Sequence, residues 1–266
     1  MPDLSCEISD HIATVTLTSK TMRAAFFTEC GQMFRDLSTR DDLRAVIVRA
    51  AHEKAFTYGL DLASAFTELG PFLQGGLAGK RAALHRKIRD WQADITAVAE
   101  CPVPVIAAVH GWCIGGGLNL VSACDIRLCS ADARFSLRET RVAIVADLGS
   151  LQRLPHIIGQ GHTRELAYTG KDIDAERARA IGLVNDIYPD RAALDQGARA
   201  LAQEIASNPP LTVRGVKQVL DYGQDKSVAA GLAYVAAWNA AFLASKDIAE
   251  AMTAFVGKRP PAFTGE

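Results

Sequence analysis

Residues 103–109 form an apolar run (VPVIAAV). After a short turn come three successive glycines, Gly115, Gly116 and Gly117, and then a second apolar segment over 118–123. The first run reads as a buried strand, and the second is a helix packed inside the protein. Three bare glycines at a helix start leave backbone N–H groups unshielded, where the helix dipole adds partial positive charge. Such a place suits an oxygen that becomes negative during a reaction. Glycines before a helix also serve plain close packing, and a lone loop carboxylate is ordinarily a cap or a solvated charge. Here two carboxylates, Glu139 and Asp147, follow the glycines in an otherwise apolar, turn-rich segment. An anion hole followed by two acids is a proton-transfer constellation.

The chain around this stretch is long enough to bury a sizeable core: 266 residues, 49% of them hydrophobic. A formal net charge of −1 supplies no bulk basic field for nucleic acid and no bias toward a membrane surface. Six cysteines without C-x-x-C spacing read as reduced thiols. His85, His110 and His162 show no metal or triad pattern, and no metal site is expected. The first twenty residues alternate like strands and contain acids, unlike a targeting leader, and the last four, FTGE, are no peroxisomal signal. A soluble, cytoplasmic protein is the expectation.

In chain order, 4–8 and 12–17 read as a hairpin about Ser9 and Asp10, 25–37 as an amphipathic helix, and 45–48 as a strand. The segment 54–62 (KAFTYGLDL) is a strand-to-helix connection in which Gly59 turns and Asp61 can cap the next helix. Residues 69–79, with Gly70, Pro71, Gly75, Gly76 and Gly79, read as a flexible loop. Leu84, Ile88, Trp91, Ile95 and Val98 then form one helical stripe. Further strands are expected over 126–128 and 183–187, and helices over 175–180, 192–207, 212–222 and 227–256. Asn208-Pro209-Pro210 and the shift to helical composition mark a boundary, giving a core over 1–207 and a helical part over 208–266.

The run from ACDIR (123–127) through Glu139 to ADLGSLQRLP (146–155) resembles the crotonase, or enoyl-CoA hydratase/isomerase, superfamily, and within it the Δ3,5-Δ2,4-dienoyl-CoA isomerase branch. The resemblance spans the whole chain to KRPPAF (258–263). It implies an α/β fold, a crotonase-like spiral of β-β-α units with a helical C-terminal subdomain that builds a homotrimer or a dimer of trimers. It implies an acyl-CoA thioester substrate and no separate cofactor, coenzyme A being part of the substrate. It places the oxyanion donors on Leu60 and Gly116, and substrate contacts on Tyr58, Gly59, Asp61, Leu62, Gly115 and Gly117. Tyr58 is larger than the alanine the superfamily often has before that glycine. CoA is expected to run past both glycine turns to 21–25, with Arg23, Ala24 and the tail residues Lys258 or Arg259 as contacts.

By the same resemblance, isomerising a 3,5-dienoyl thioester to its 2,4-isomer falls to Glu139 and Asp147, one near each end of the diene. Asn119 departs from the branch, which has a third acid there. Its loss removes a charge needed for hydration and should lower the pKa values of the remaining acids, while its amide can still orient them. Asn119 is therefore a third candidate catalytic residue. The alternatives are another hydratase, isomerase or hydrolase activity on the same fold, and a catalytically silent CoA-thioester binding protein.

Overall fold

The computed structural model describes residues 2–73 and 78–266. Antiparallel β1 (Leu4–Ser9) and β2 (Ile12–Leu17) open the chain, with Ser9 still paired to Ile12, so the turn residues are Asp10 and His11, one place later than expected. From β3 (Ala45–Ala50) to β8 (Arg134–Ser136) the backbone alternates between two sheets. β3, β5 (Val105–Val109), β7 (Ile126–Ser130) and β10 (Asp186–Tyr188) extend the hairpin into a six-stranded sheet of order β1-β2-β3-β5-β7-β10, parallel after β1. β4 (Ala55–Thr57), β6 (Trp112–Ile114), β8 (Arg134–Ser136) and β9 (Asp172–Asp174) form a second sheet in that order, with only β9 antiparallel. The pairs β3/β4, β5/β6 and β7/β8 each give one strand to each sheet and are followed by helix. This is the β-β-α spiral that the resemblance implied.

Alternation along the parallel strands explains the two cores. Val46 and Val48 of β3, with Val105 and Ala107 of β5, face a core built on Phe27, Phe34, Phe56 and Trp91. Ala45, Ile47, Ile106 and Ala108 face the other way, onto Leu194, Ala198 and Ala202 of α7 (Arg191–Ala206). The stripe read around Trp91 lies on α3 (Ala78–Ala99), and Trp91 meets Phe27 of α1 (Ala24–Ser38) with ring centroids 4.9 Å apart.

Several expectations need correction. The loop over 69–79 is largely helical: α2 (Leu62–Leu73) runs through Gly70 and Pro71, and α3 starts at Ala78. Packing of α2 on α3 overrides the poor propensity of those residues. Gly75 and Gly76 lie outside the described residues. The strand over 183–187 shrinks to β10, because side chains bind the preceding backbone: Arg127 Nε donates to the Leu183 carbonyl at 2.8 Å, and Asn185 Oδ1 accepts from Arg127 N at 2.9 Å. The single helix over 227–256 is two, α9 (Val228–Phe242) and α10 (Lys246–Gly257), bent by 80° where Ser245 caps the second. Among the described residues no single helix is long and apolar enough to cross a membrane. The three-residue strands of the second sheet, and α5 (Ser150–Thr169, interrupted at Gly159), were not anticipated.

The C-terminal helices are tied to the core by charge. On α8 (Pro210–Gly223), Lys217 is 7% exposed, and its Nζ donates to Asp125 Oδ2 at 2.7 Å and to the Val103 carbonyl at 3.3 Å. Asp125 also accepts the amide of Val105 at 2.7 Å, so one carboxylate joins α8 to the start of β5. Removing one partner of such a pair strands the other. Lys217→Met is expected to lower unfolding free energy by about 2 kcal/mol, measured by urea denaturation followed by circular dichroism.

Candidate active site

Parallel pairing of β4 with β6, Thr57 opposite Cys113, carries two turns side by side at the strand ends. At the first, Gly59 has φ +84°, and a Cβ there would stand 2.6 Å from the Ile114 carbonyl oxygen. Only glycine fits. Around it, the Gly59 amide donates to Thr57 Oγ1 and the Asp61 amide to the Met22 carbonyl. The Leu60 amide has no such acceptor among the described residues. At the second turn, Gly116 is the first residue of α4 (Gly116–Ser122), where a helix provides no acceptor for its own N–H. A Cβ on Gly116 would lie 3.8 Å from Leu60 N and 2.9 Å from Met22 Sδ, so bare backbone is what lets the two amides converge.

These amides open on a cavity of about 620 Å³. Its polar end holds Glu139, Asp147 and Asn119 beside Leu60, Gly115 and Gly116, and its walls are apolar: Phe27, Leu62, Phe66, Ile88, Trp91 and Leu148. Glu139 starts a 3-10 turn (Glu139–Val142) directly after β8. Asp147 lies in the irregular segment before α5. Asn119 Nδ2 donates to Glu139 Oε1 at 3.0 Å and to the Gly115 carbonyl at 3.2 Å, while its Oδ1 accepts the Ser150 amide at 2.9 Å. Glu139 Oε2 is buried with no protein partner.

Burial pushes the Glu139 carboxyl above its usual range. A backbone hydrogen bond and the Asn119 amide oppose that shift, and the nearby Asp147 charge adds to it. Burial likewise raises Asp147, opposed by a backbone hydrogen bond. The Asn119 amide lowers the Glu139 value through its hydrogen bond, but desolvation outweighs it, and both carboxyls stand above their usual ranges.

The remaining candidates divide. Tyr58, Gly59, Leu60, Leu62 and Gly115 line the cavity. Gly117 packs instead on Thr57, whose Cγ2 would stand 2.5 Å from a Cβ there. Asp61 caps α2 by accepting the Ser64 amide at 2.9 Å, and also takes the Thr21 hydroxyl at 3.0 Å. Arg23 is ion-paired with the fully buried Asp3 at 2.8 Å, and Ala24 begins α1. Lys258 follows the end of α10, outside the cavity. Sequence reading missed Gln92, whose Nε2 donates to the Asp147 carbonyl at 2.6 Å across 55 residues of chain, and the Ser150 amide that holds Asn119. Neither carries a local signal. Among the described residues no cluster of three or more His, Cys, Asp or Glu could hold a metal. A larger hollow of about 910 Å³ lies beside α8, lined by Glu100, Asp125, Asp221, Arg127 and Lys217.

The sequence pattern of the enoyl-CoA hydratase/isomerase family matches residues 7–266. The mitochondrial Δ(3,5)-Δ(2,4)-dienoyl-CoA isomerase of Dictyostelium discoideum is 43% identical over 242 residues, covering 90% of this chain and 81% of that protein. The peroxisomal Δ(3,5)-Δ(2,4)-dienoyl-CoA isomerase of Arabidopsis thaliana is 44% identical over 239 residues, covering 90% and 86%. The crystal structure of an enoyl-CoA hydratase from Bacillus anthracis superposes with a TM-score of 0.89 at 31% identity, over 99% of this chain and all of that one. The cytoplasmic expectation does not stand: these isomerases are named as mitochondrial and peroxisomal proteins.

Raised carboxyl pKa values have a consequence for stability. Above the ordinary Glu value of 4.5 the unfolded chain ionises Glu139 freely, whereas the folded protein resists, so stability falls as pH rises through the folded-state value. Glu139→Gln removes that cost. Its thermal midpoint should exceed that of the native protein at pH 7, with the gap closing as the pH falls to about 4.

Proposed function

The chain belongs to the enoyl-CoA hydratase/isomerase family, and on that footing we propose that it converts 3,5-dienoyl-CoA thioesters to their 2,4-dienoyl isomers. The observation that carries this reading is a pair of half-buried carboxyls in one largely apolar cavity beside two free amides. The names of the two isomerase relatives supply the substrate class.

The thioester oxygen accepts from the Leu60 and Gly116 amides. Glu139 packs on Gly115, its Oε1 only 3.5 Å from where a Cβ would stand, which supports a role for it at the thioester end, near C2. It takes the C2 proton, and the C2–H electron pair spreads through a trienolate from the thioester oxygen to C6. The amides stabilise the oxygen end of that charge. Asp147 then delivers a proton to C6, leaving the 2,4-diene. Environment supports the division: Glu139 has a side-chain donor favouring its charged form, whereas no side-chain donor acts on Asp147 among the groups that shift it. Proton return from Glu139 to Asp147 through solvent completes the cycle, and no cofactor is consumed.

The CoA portion is proposed to leave along 21–25, which the bridge between Met22 and Leu60 holds against the first turn. Arg23 and Ala24 lie on that path. The subdomain 208–266 is proposed to make a trimer or a pair of trimers, with Lys258 reaching a neighbour's ligand. Supporting this, α9 buries no residue within the chain, and Val228, Leu232 and Phe255 are 80%, 63% and 83% exposed. Sedimentation should give three or six times the 28.5 kDa chain mass, and a monomer would refute the assembly.

With 3,5-octadienoyl-CoA, purified protein is expected to generate the absorbance of a conjugated 2,4-dienoyl thioester. Glu139→Gln and Asp147→Asn should each lower kcat by roughly 10²–10⁴-fold. Native protein that binds the thioester by calorimetry without producing that absorbance would defeat the isomerase reading.

A further inference from the structure

Trp91 carries a polar atom that the fold leaves without a partner. The residue is 5% exposed, and its Nε1–H is buried with no acceptor among the described residues. A buried indole N–H is ordinarily paired, because an unpaired one forfeits the hydrogen bond that water gives it in the unfolded chain. Packing fixes the ring. Phe27 lies against it with centroids 4.9 Å apart, and the Lys87 ammonium stands 5.2 Å from the ring centre while paired with Glu68 of α2 at 2.6 Å. The same ring is part of the wall of the cavity that holds Glu139 and Asp147.

The two carboxyls of that cavity are the candidate acceptors, and the structure separates them. Glu139 is tied at Oε1 by Asn119, and its Oε2 is as partnerless as the indole, so these two fixed groups do not meet. Asp147 is half-buried in the irregular segment before α5, and the one hydrogen bond that shifts its carboxyl comes from its own backbone. Gln92, the residue after Trp91, donates to the Asp147 carbonyl at 2.6 Å, which brings this turn of α3 against the Asp147 segment. A short carboxyl on two rotatable bonds is the movable member of the pair, and the packed indole is the fixed one.

We propose that Trp91 is a positioning residue for Asp147: its indole N–H receives the Asp147 carboxylate that forms when the proton passes to C6. This deepens the isomerase reading and rests on it for the identity of the reaction. As the C6–H bond forms, the Asp147 O–H bond breaks and its electron pair stays on the carboxylate, which in an apolar cavity needs a donor. The neutral acid needs none, which accounts for an indole left unpaired while Asp147 holds its proton. A donor met only by the ionised form makes Asp147 the stronger acid.

Other charges around Asp147 and Trp91 are engaged elsewhere. Glu139, the facing carboxyl, is held by Asn119. Arg138 turns away into a two-pronged ion pair with Asp172, both oxygens at 2.7 Å, and Arg141 donates to the Thr169 carbonyl. On α3, Lys87 is paired with Glu68, Arg89 donates to Gln92, Asp94 is paired with Arg35, and Asp90 is exposed. Asp61 caps α2. From α5, Arg153 donates to the Leu148 carbonyl and to Thr96 Oγ1. Helix α4 carries no charged residue.

Two replacements test the role. Trp91→Phe removes the N–H and keeps an aromatic wall; replacing Trp91 by 3-benzothienylalanine puts sulfur where the N–H was and keeps the shape of the ring. Without substrate, protein with isotope-labelled indole nitrogens is titrated by NMR, the Trp91 signal being the one that Trp91→Phe deletes. That signal should move as Asp147 ionises and stay in place in Asp147→Asn. With 3,5-octadienoyl-CoA, both replacements should lower kcat about 10–100-fold, with KM changed by less than about threefold. Loss of the donor makes Asp147 hold its proton more tightly, so the alkaline limb of the rate profile should move up by about one pH unit or more. A merely structural Trp91 would leave the benzothienyl protein near native and would lower activity in Trp91→Phe equally at every pH. That result, or a Trp91 signal that does not follow Asp147, overturns the proposal. A signal that follows Asp147 in a protein that turns over no dienoyl-CoA keeps the Trp91 role and removes the isomerase reading; an unmoved signal with robust turnover does the reverse.

Discussion

Everything at the site depends on two backbone turns being able to touch. Parallel pairing of β4 and β6 sets their ends level, and the turn at Gly59 then meets the start of α4 with no side chain between them. A methyl group on Gly59 would overlap the Ile114 carbonyl, and one on Gly116 would strike Met22. The larger sheet exists, in this sense, to hold the smaller one. Its central strands β3 and β5 are buried on both faces, so their ladder cannot slip by one residue without exchanging the Phe27–Trp91 core for the α7 core. A rigid frame of this kind holds two amides in place without reorganisation when charge arrives.

The second constraint is dielectric. Desolvation holds both carboxyls above their usual ranges at a cost to the resting protein, and in the proposed reaction the same desolvation suits them to proton transfer. The cavity sorts them by hydrogen bonding rather than by depth alone. Glu139 is given a donor, and Asp147 is held through its backbone carbonyl by Gln92 while its carboxyl is left in the cavity. Stability and activity therefore pull in opposite directions at these two residues.

Much of this was legible because it is written contiguously. The strand, glycine triplet, inner helix and both acids fall within 45 residues of one another, and the resemblance added the distant turn at Gly59 and Leu60. What escaped was long-range or too short to have a period. Gln92 reads as one more polar residue beside a helical stripe until the fold brings it to the Asp147 carbonyl. Asn119 showed itself as a missing acid whose amide could still orient its neighbours; its tie to Ser150 required α5 to be in place. Strands of three residues such as β6 and β8 have no alternation to detect. The break between α9 and α10 hides in alanine-rich sequence, where only the cap at Ser245 marks it.

The central claim is that two different acids handle two different protons, and hydrogen exchange tests it most directly. In D2O, native protein acting on 3,5-octadienoyl-CoA should give product with solvent deuterium at C6, located by NMR and mass spectrometry. Asp147→Asn should still wash deuterium into C2 of unreacted substrate while forming little product, and Glu139→Gln should do neither. Product in which the C2 hydrogen has travelled to C6 with no solvent deuterium would mean that a single base carries it, and would contradict the account.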